Sequence, residues 1–256
     1  MRFFYKRRNL KKLGTNKKHE YLIDEETPFN VVEAFRNLKA SLTVSIPKKQ
    51  DGTGVAILMT SAYPEDGNST VSANLAMMLA MSESKVILVD ADIRKGRMAR
   101  FFRKKSAVGL ADYLSGQVSL DEVIRKTELN ENLSFITCGT HSPRPYELLE
   151  SEEMKNLLQK LREQYDYVII DSPPLLLVSD ALAIAKEVDG TVLVCRHEMS
   201  YVSDVKSALE KLNFIKCNVL GVVVNDYAAP QKSYSNSYRY KYYSYNYYYG
   251  KDPDKK

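Results

Sequence analysis

Two apolar runs in the chain end in carboxylates. Val86 to Asp92 reads VILVDAD and carries Asp90 and Asp92, while Val168 to Pro174 reads VIIDSPP and carries Asp171. Ahead of both lies a loop, Thr60 to Thr70, with the sequence TSAYPEDGNST. Carboxylates at the C-terminal end of an apolar strand stand where open α/β sheets bind ligands, and they hold Mg²⁺ directly or through water. The loop follows the phosphate-binding pattern G-x-x-x-x-G-K-[ST] at Gly67 and Ser69, which would aim main-chain amides at phosphates and a hydroxyl at Mg²⁺. Asn68 stands where that pattern has lysine. A unit charge about 4 Å away in a medium of effective dielectric about 20 contributes roughly 4 kcal/mol. A neutral side chain at position 68 therefore removes a contribution worth orders of magnitude in rate. Taken singly, the loop reads equally well as an ordinary strand-to-helix turn, and each aspartate as a helix cap. Three acids converging on one sheet edge favour a site for a metal-bound triphosphate.

A candidate acceptor for that phosphate lies at the other end of the chain, in nine tyrosines: Tyr234, Tyr238, Tyr240, Tyr242, Tyr243, Tyr245, Tyr247, Tyr248 and Tyr249. Each phosphate adds about −1.5 to −2 charges, so modifying a few of them would outweigh Lys232, Arg239, Lys241 and Lys251 and reverse the sign of the tail. The plainer reading is an adhesive, low-complexity tail that is never modified.

The elements that must position these groups alternate along the chain. Phe29 to Ile46 reads as an amphipathic helix with Val32, Phe35, Leu38 and Leu42 at helical spacing, started by Thr27 and Pro28. Val55 to Met59 is an apolar run of the kind buried on both faces, and a helix from Ser69 to Ser82 opens directly out of the loop. Strands are expected at 85–89, 133–137, 167–170, 191–195 and 219–224. Helices are expected at 109–116, 119–126, 151–165, 179–188 and 203–212. Such alternation predicts an α/β fold: a doubly wound, mostly parallel sheet in a single domain. The regular pattern stops at Ala228, and the tyrosine-rich remainder lacks the aliphatics to build a core.

Composition bounds the rest. With 256 residues, 44% of them hydrophobic, the chain can bury one sizeable core. The net charge of +5 is uneven, since Arg2, Lys6, Arg7, Arg8, Lys11, Lys12, Lys17 and Lys18 all precede Glu20. That head suits an acidic membrane surface or partner, and equally a solvated arm. Cys138, Cys195 and Cys217 have no CxxC spacing and read as reduced core thiols, implying a cytoplasmic location. His19, His141 and His197 lack metal-ligand spacing, which sets zinc chemistry aside. No apolar stretch is long enough to span a bilayer. No nucleic-acid partner is expected.

The loop, the VDADIR stretch (Val89 to Arg94) and the IIDSPP stretch (Ile169 to Pro174) resemble the Walker A, Walker A′ and Walker B motifs of bacterial tyrosine kinases, the cytosolic kinases of capsular and exopolysaccharide synthesis. Nearly the whole chain takes part. Glu33, Arg36 and Lys39 fall on that family's E-x-x-R-x-x-R oligomerisation motif, with lysine in place of the last arginine, and GLADYL (Gly109 to Leu114) and SPRPYELL (Ser142 to Leu149) match two further stretches. The resemblance implies ATP and Mg²⁺ as cofactors, with Ala62, Gly67, Asn68, Ser69 and Thr70 at the nucleotide and Asn225 near adenine. It places Ser69 and Asp92 on Mg²⁺, with Asp171 acting through a metal-bound water. Asp90 becomes the base that accepts a tyrosine proton, and the nine tail tyrosines become autophosphorylation sites. It also implies a homo-oligomeric ring, a membrane-embedded activator or co-polymerase as partner, and a position at the inner face of the cell membrane. In domain terms these are a basic arm (1–26), an oligomerisation helix (27–46), a P-loop-like kinase domain (47–227) and the tail (228–256).

Two departures bear on activity. Asn68 cannot neutralise charge, and Glu65 places a carboxylate and a Cβ where the family usually has glycine. Arg94 and Lys95, or an arginine from a neighbouring subunit, are the candidate substitutes for the missing cation. Two other readings stay open: an impaired scaffold member whose tail another kinase phosphorylates, and a partitioning-type ATPase. The last class usually carries a lysine early in the loop, where this chain has Ser61 and Ala62, and it leaves the tail unexplained.

Overall fold

The computed structural model describes residues 22–24, 26–46, 51–103 and 108–227. The basic head and the tyrosine cluster lie outside the described residues. Seven strands form one sheet: β1 (Val55–Ser61), β2 (Val86–Asp90), β3 (Arg125–Lys126), β4 (Leu133–Ile136), β5 (Tyr167–Asp171), β6 (Gly190–Arg196) and β7 (Val219–Asn225). Their spatial order is β3-β4-β2-β5-β1-β6-β7, and every pairing is parallel except β3 with β4. Parallel neighbours need crossovers. These come from α2 (Asn68–Ala80), α7 (Glu152–Gln164), α8 (Asp180–Ala185) and α9 (Val202–Phe214), with the short α3 (Met98–Phe101), α4 (Leu110–Leu114), α5 (Leu120–Val123) and α6 (Pro145–Glu150) between them.

The central strands are apolar on both faces because helices cover both. Alternate residues feed two separate cores: Val55, Ile57 and Met59 join one with Val86, Leu88 and Ile169. Ala56 and Leu58 join the other with Ile87, Val89, Val168 and Ile170. The first core also takes in α1 (Phe29–Ser45), which lies over α2. Every residue of α2 from Val71 to Ala80 is buried, so this helix is enclosed by the sheet on one side and α1 on the other. A helix buried all round, with only Ser72 and Asn74 as hydrogen-bonded polar side chains in that stretch, needs such a cover.

Two expectations change. The stripe that α1 buries is Val31, Ala34, Leu38 and Leu42, rotated from the one anticipated at its N-terminal end. The helix expected over 119–126 ends at Val123, because Ile124 is extended (φ −74°, ψ 127°) and Arg125–Lys126 pair antiparallel with β4. The short helix α6 went unanticipated. It begins at Pro145, whose ring pre-sets the first helical turn, and it runs to Ser151, whose hydroxyl accepts from the Met154 N–H to cap α7. Among the described residues no helix is long and apolar enough to cross a membrane.

Candidate functional site

The first strand delivers the loop, and the loop delivers α2. Gly67, at the helix N-cap, has φ +93°, and a Cβ there would come within 2.0 Å of the Asn225 amide nitrogen. Glycine is therefore required twice over, by conformation and by space. Glu65 also adopts a left-handed φ, +69°, at the position where glycine was the expected residue. Its carbonyl accepts from Arg196 (3.2 Å), and Arg196 is held in turn by Asp226 at 2.7 Å. Asp66 is pinned nearby: its carboxylate accepts from the Tyr63 N–H (3.1 Å) and the Ser200 hydroxyl (2.7 Å), while its carbonyl accepts from Asn225 (3.0 Å). The ends of β6 and β7 thus hold the loop in shape. No side chain caps α2, whose first ladder bond runs from the Val71 N–H to the Gly67 carbonyl at 2.9 Å. The amides before it open at the positive end of the helix, as anion binding demands.

Asp171 ends β5 beside that opening, buried and surrounded by donors. Its Oδ2 accepts from the Ser69 hydroxyl at 2.7 Å, and its Oδ1 accepts from Ser72 at 3.0 Å and from Asn68 at 3.1 Å. Burial raises its pKa to about 7 against the pull of those hydrogen bonds. Asp90 pairs with Asp171 across β2 and β5, which sets the two side chains next to each other on one face. Burial, then the Asp171 charge, hold the Asp90 carboxyl well above the ordinary range. Its oxygens accept from the Asp92 N–H (3.2 Å) and the Met98 N–H (2.9 Å), so the turn after β2 orients it. Asp92 is less enclosed. Burial raises its pKa, opposed by N–H donors of Lys95 and Arg94 and by the charge of Arg97.

The structure therefore gathers Gly67, Asn68, Ser69, Thr70, Asp90, Asp92 and Asp171 at one sheet edge. Ala62 is fully buried beneath the loop, where its carbonyl accepts from the Leu176 N–H at 3.3 Å. Asn225 sits across from Gly67, on the β7 side. Ser69, Asp92 and Asp171 are hard oxygen donors suited to Mg²⁺. Among the described residues, no group of three His, Cys, Asp or Glu side chains is arranged to enclose an ion unaided. Arg94, a candidate for the missing positive charge, forms two bonds, 2.7 and 3.0 Å, to the buried carboxylate of Asp180. Ser72, Asp180, Arg196 and Ser200 were not singled out from the sequence, since isolated polar residues outside the motifs carry no pattern of their own. Glu33 and Arg36 pair on the outer side of α1, and Lys39 reaches the Ser82 hydroxyl. A cleft of about 520 Å³ lined by Tyr146, Leu182, Lys186 and Ile215 contains none of the phosphate-loop residues.

Comparison with known proteins gives the arrangement its context. The model of the AAA domain family matches residues 66–218. A putative tyrosine-protein kinase EpsB of Ralstonia solanacearum is 34% identical over 229 residues, which is 89% of this chain and 29% of that protein. The tyrosine-protein kinase YwqD of Bacillus subtilis is 33% identical over 193 residues, covering 75% of this chain and 80% of the relative. The chain thus spans under a third of the first of these relatives and most of the second. The kinase domain of the Escherichia coli tyrosine kinase ETK superposes with a TM-score of 0.77 at 30% identity, covering 91% of this chain and 93% of that one. With its acidic strand ends meeting an uncapped helix, and relatives of this length and identity, the chain belongs to the family of bacterial tyrosine-protein kinases.

Proposed function

We propose that the chain binds Mg·ATP at the end of α2 and transfers phosphate to the tyrosine cluster at 234–249 of another copy, in a system that makes or exports capsular or extracellular polysaccharide. The observation that carries this reading is Asp171, joined to Ser69 at 2.7 Å and in register with Asp90. The Ser69 hydroxyl donates its hydrogen bond to Asp171, which leaves its oxygen lone pairs free for a metal. With Oδ1 accepting from Asn68 and lying 3.0 Å from the Ser72 hydroxyl, Asp171 is suited to act through a metal-bound water. Bound Mg²⁺ would neutralise charge on the transferring phosphoryl group. A phenol with pKa about 10 is mostly protonated at neutral pH, so its proton must be taken as the oxygen attacks. The raised pKa of Asp90 brings this carboxylate closer to that of the phenol, which favours it as acceptor of the proton. Assembly through Glu33, Arg36 and Lys39, and recruitment by a membrane-embedded activator, complete the proposal. The family resemblance supports both, and the charge of the basic head supports contact with an acidic membrane.

One observation favours the scaffold reading: Asn68 offers no charge, and both its amide hydrogens are directed into the protein. A titration with Mg·ATP followed by a phosphotyrosine time course on the purified chain separates the two. The kinase reading expects phosphate to accumulate on 234–249 without any other enzyme. Nucleotide binding with no phosphotyrosine would leave the scaffold.

A further inference from the structure

The residue in the lysine position neither imitates lysine nor stands idle. Asn68 Nδ2 donates to Asp171 Oδ1 at 3.1 Å and to the Ser172 carbonyl at 2.7 Å, which uses both of its hydrogens. Its own carbonyl accepts from the Ser72 hydroxyl at 2.8 Å, and that same hydroxyl lies 3.0 Å from Asp171 Oδ1. The result is a closed polar ring between the first turn of α2 and the end of β5. On the opposite flank, Arg196, Ser200 and Asn225 hold Glu65 and Asp66. Two guanidinium groups beside this edge are committed, Arg94 to Asp180 and Arg196 to Asp226, while the charge of Arg97 acts on Asp92.

We infer that Asn68 is a positioning residue that fastens the phosphate loop to β5 before any nucleotide arrives, and that the loop accepts nucleoside phosphates only as their metal complexes. A lysine gives a phosphate loop a fixed positive charge that attracts nucleotide even without metal. Here that charge is missing, and the side chain in its place faces the strand end. The main-chain amides meet the phosphates with no lysine among them, so the bound cation supplies most of the neutralisation. This rests on the nucleotide-binding reading above and specifies the ligand that the site takes.

Two measurements on the full chain test it. The first is calorimetric titration with ADP in Mg²⁺ and in EDTA. The parent chain is expected to lose at least about a hundredfold in affinity when metal is removed, and Asn68→Lys about tenfold or less. A purely structural role for residue 68 would shift both affinities together and leave their ratio alone. A parent ratio below tenfold, or an unchanged ratio in Asn68→Lys, overturns the inference. The second is hydrogen exchange without nucleotide. Asn68→Ala is expected to speed exchange over residues 66–72 at least tenfold, and equal exchange in the two proteins overturns the tie. Failure of the parent to bind Mg·ADP at all would instead sink the nucleotide-binding reading, and the exchange comparison would still decide whether Asn68 is a tie.

Discussion

Asp171 stabilises the site chemically and strains it thermodynamically. An unfolded chain ionises an aspartate near about 3.9, whereas the folded chain holds this proton up to about 7. Between those values the native state binds the extra proton, so stability falls as pH rises from about 4 to about 7, and the whole loss persists above that range. Asp171→Asn keeps an acceptor for Asn68 and Ser72 and abolishes the titration. Its Tm is expected to exceed the parent's by several degrees at pH 8 and to converge on it toward pH 4, as thermal scans across pH would show. Matching curves at pH 8 would remove the claim that this carboxylate is costly when ionised. Asp90→Asn should separate chemistry from binding: phosphotyrosine formation falls at least about a hundredfold while Mg·ADP affinity stays within about threefold. Asn68→Lys restores charge at the phosphates, and tail phosphorylation in a radiolabel time course should rise at least about tenfold. No rise in a folded protein would remove the charge argument. At this scale the sequence pointed to the residue types that the structure brings together at the end of α2. It did not show that Asn68 turns inward, because a side chain's choice of partner depends on residues brought in by β5.

Among the elements, α1 contributes one face to the core and carries the proposed assembly residues on its outer side. Leu38 is only 2% exposed, and it sits in the core that α1 shares with α2 and the sheet. Leu38→Ala is expected to cost about 2–4 kcal/mol in urea unfolding. Arg36 is exposed and pairs with Glu33 within a single turn. Arg36→Ala should change stability by under about 0.5 kcal/mol yet reduce assembly, read as a lower mass in light scattering. Unchanged mass would detach the helix from oligomerisation. The helical period of this segment was plain in the sequence. The buried side differed because α2 is buried all round, so the angle at which α1 lies over it is decided by packing and leaves no local pattern. Likewise, Arg125 and Lys126 continue a helical pattern locally and are drawn into a strand by the exposed edge of β4.

For the whole molecule, the proposal makes the tail the acceptor of the transferred phosphate. If the proposal holds, mass spectrometry after incubation with Mg·ATP finds phosphate on tyrosines between Tyr234 and Tyr249, and heavily modified chains elute as smaller assemblies. Phosphate confined to serine or threonine would count against it. The sign reversal follows from composition, since the tail's few basic residues are outweighed once several tyrosines are modified. By itself the sequence determined the alternation of strand, loop and helix, the acids at strand ends, the glycine that opens α2 and the family. All of these are written in short stretches, where hydrophobic period and backbone chemistry act locally. Only the tertiary structure decided that β5 lies between β1 and β2, and so that Asp90 and Asp171 stand in register. It also decided that Arg94 is taken by Asp180, and that the residue in the lysine position grips the strand end. Strand order and side-chain partners depend on packing between distant segments, and no local pattern encodes them.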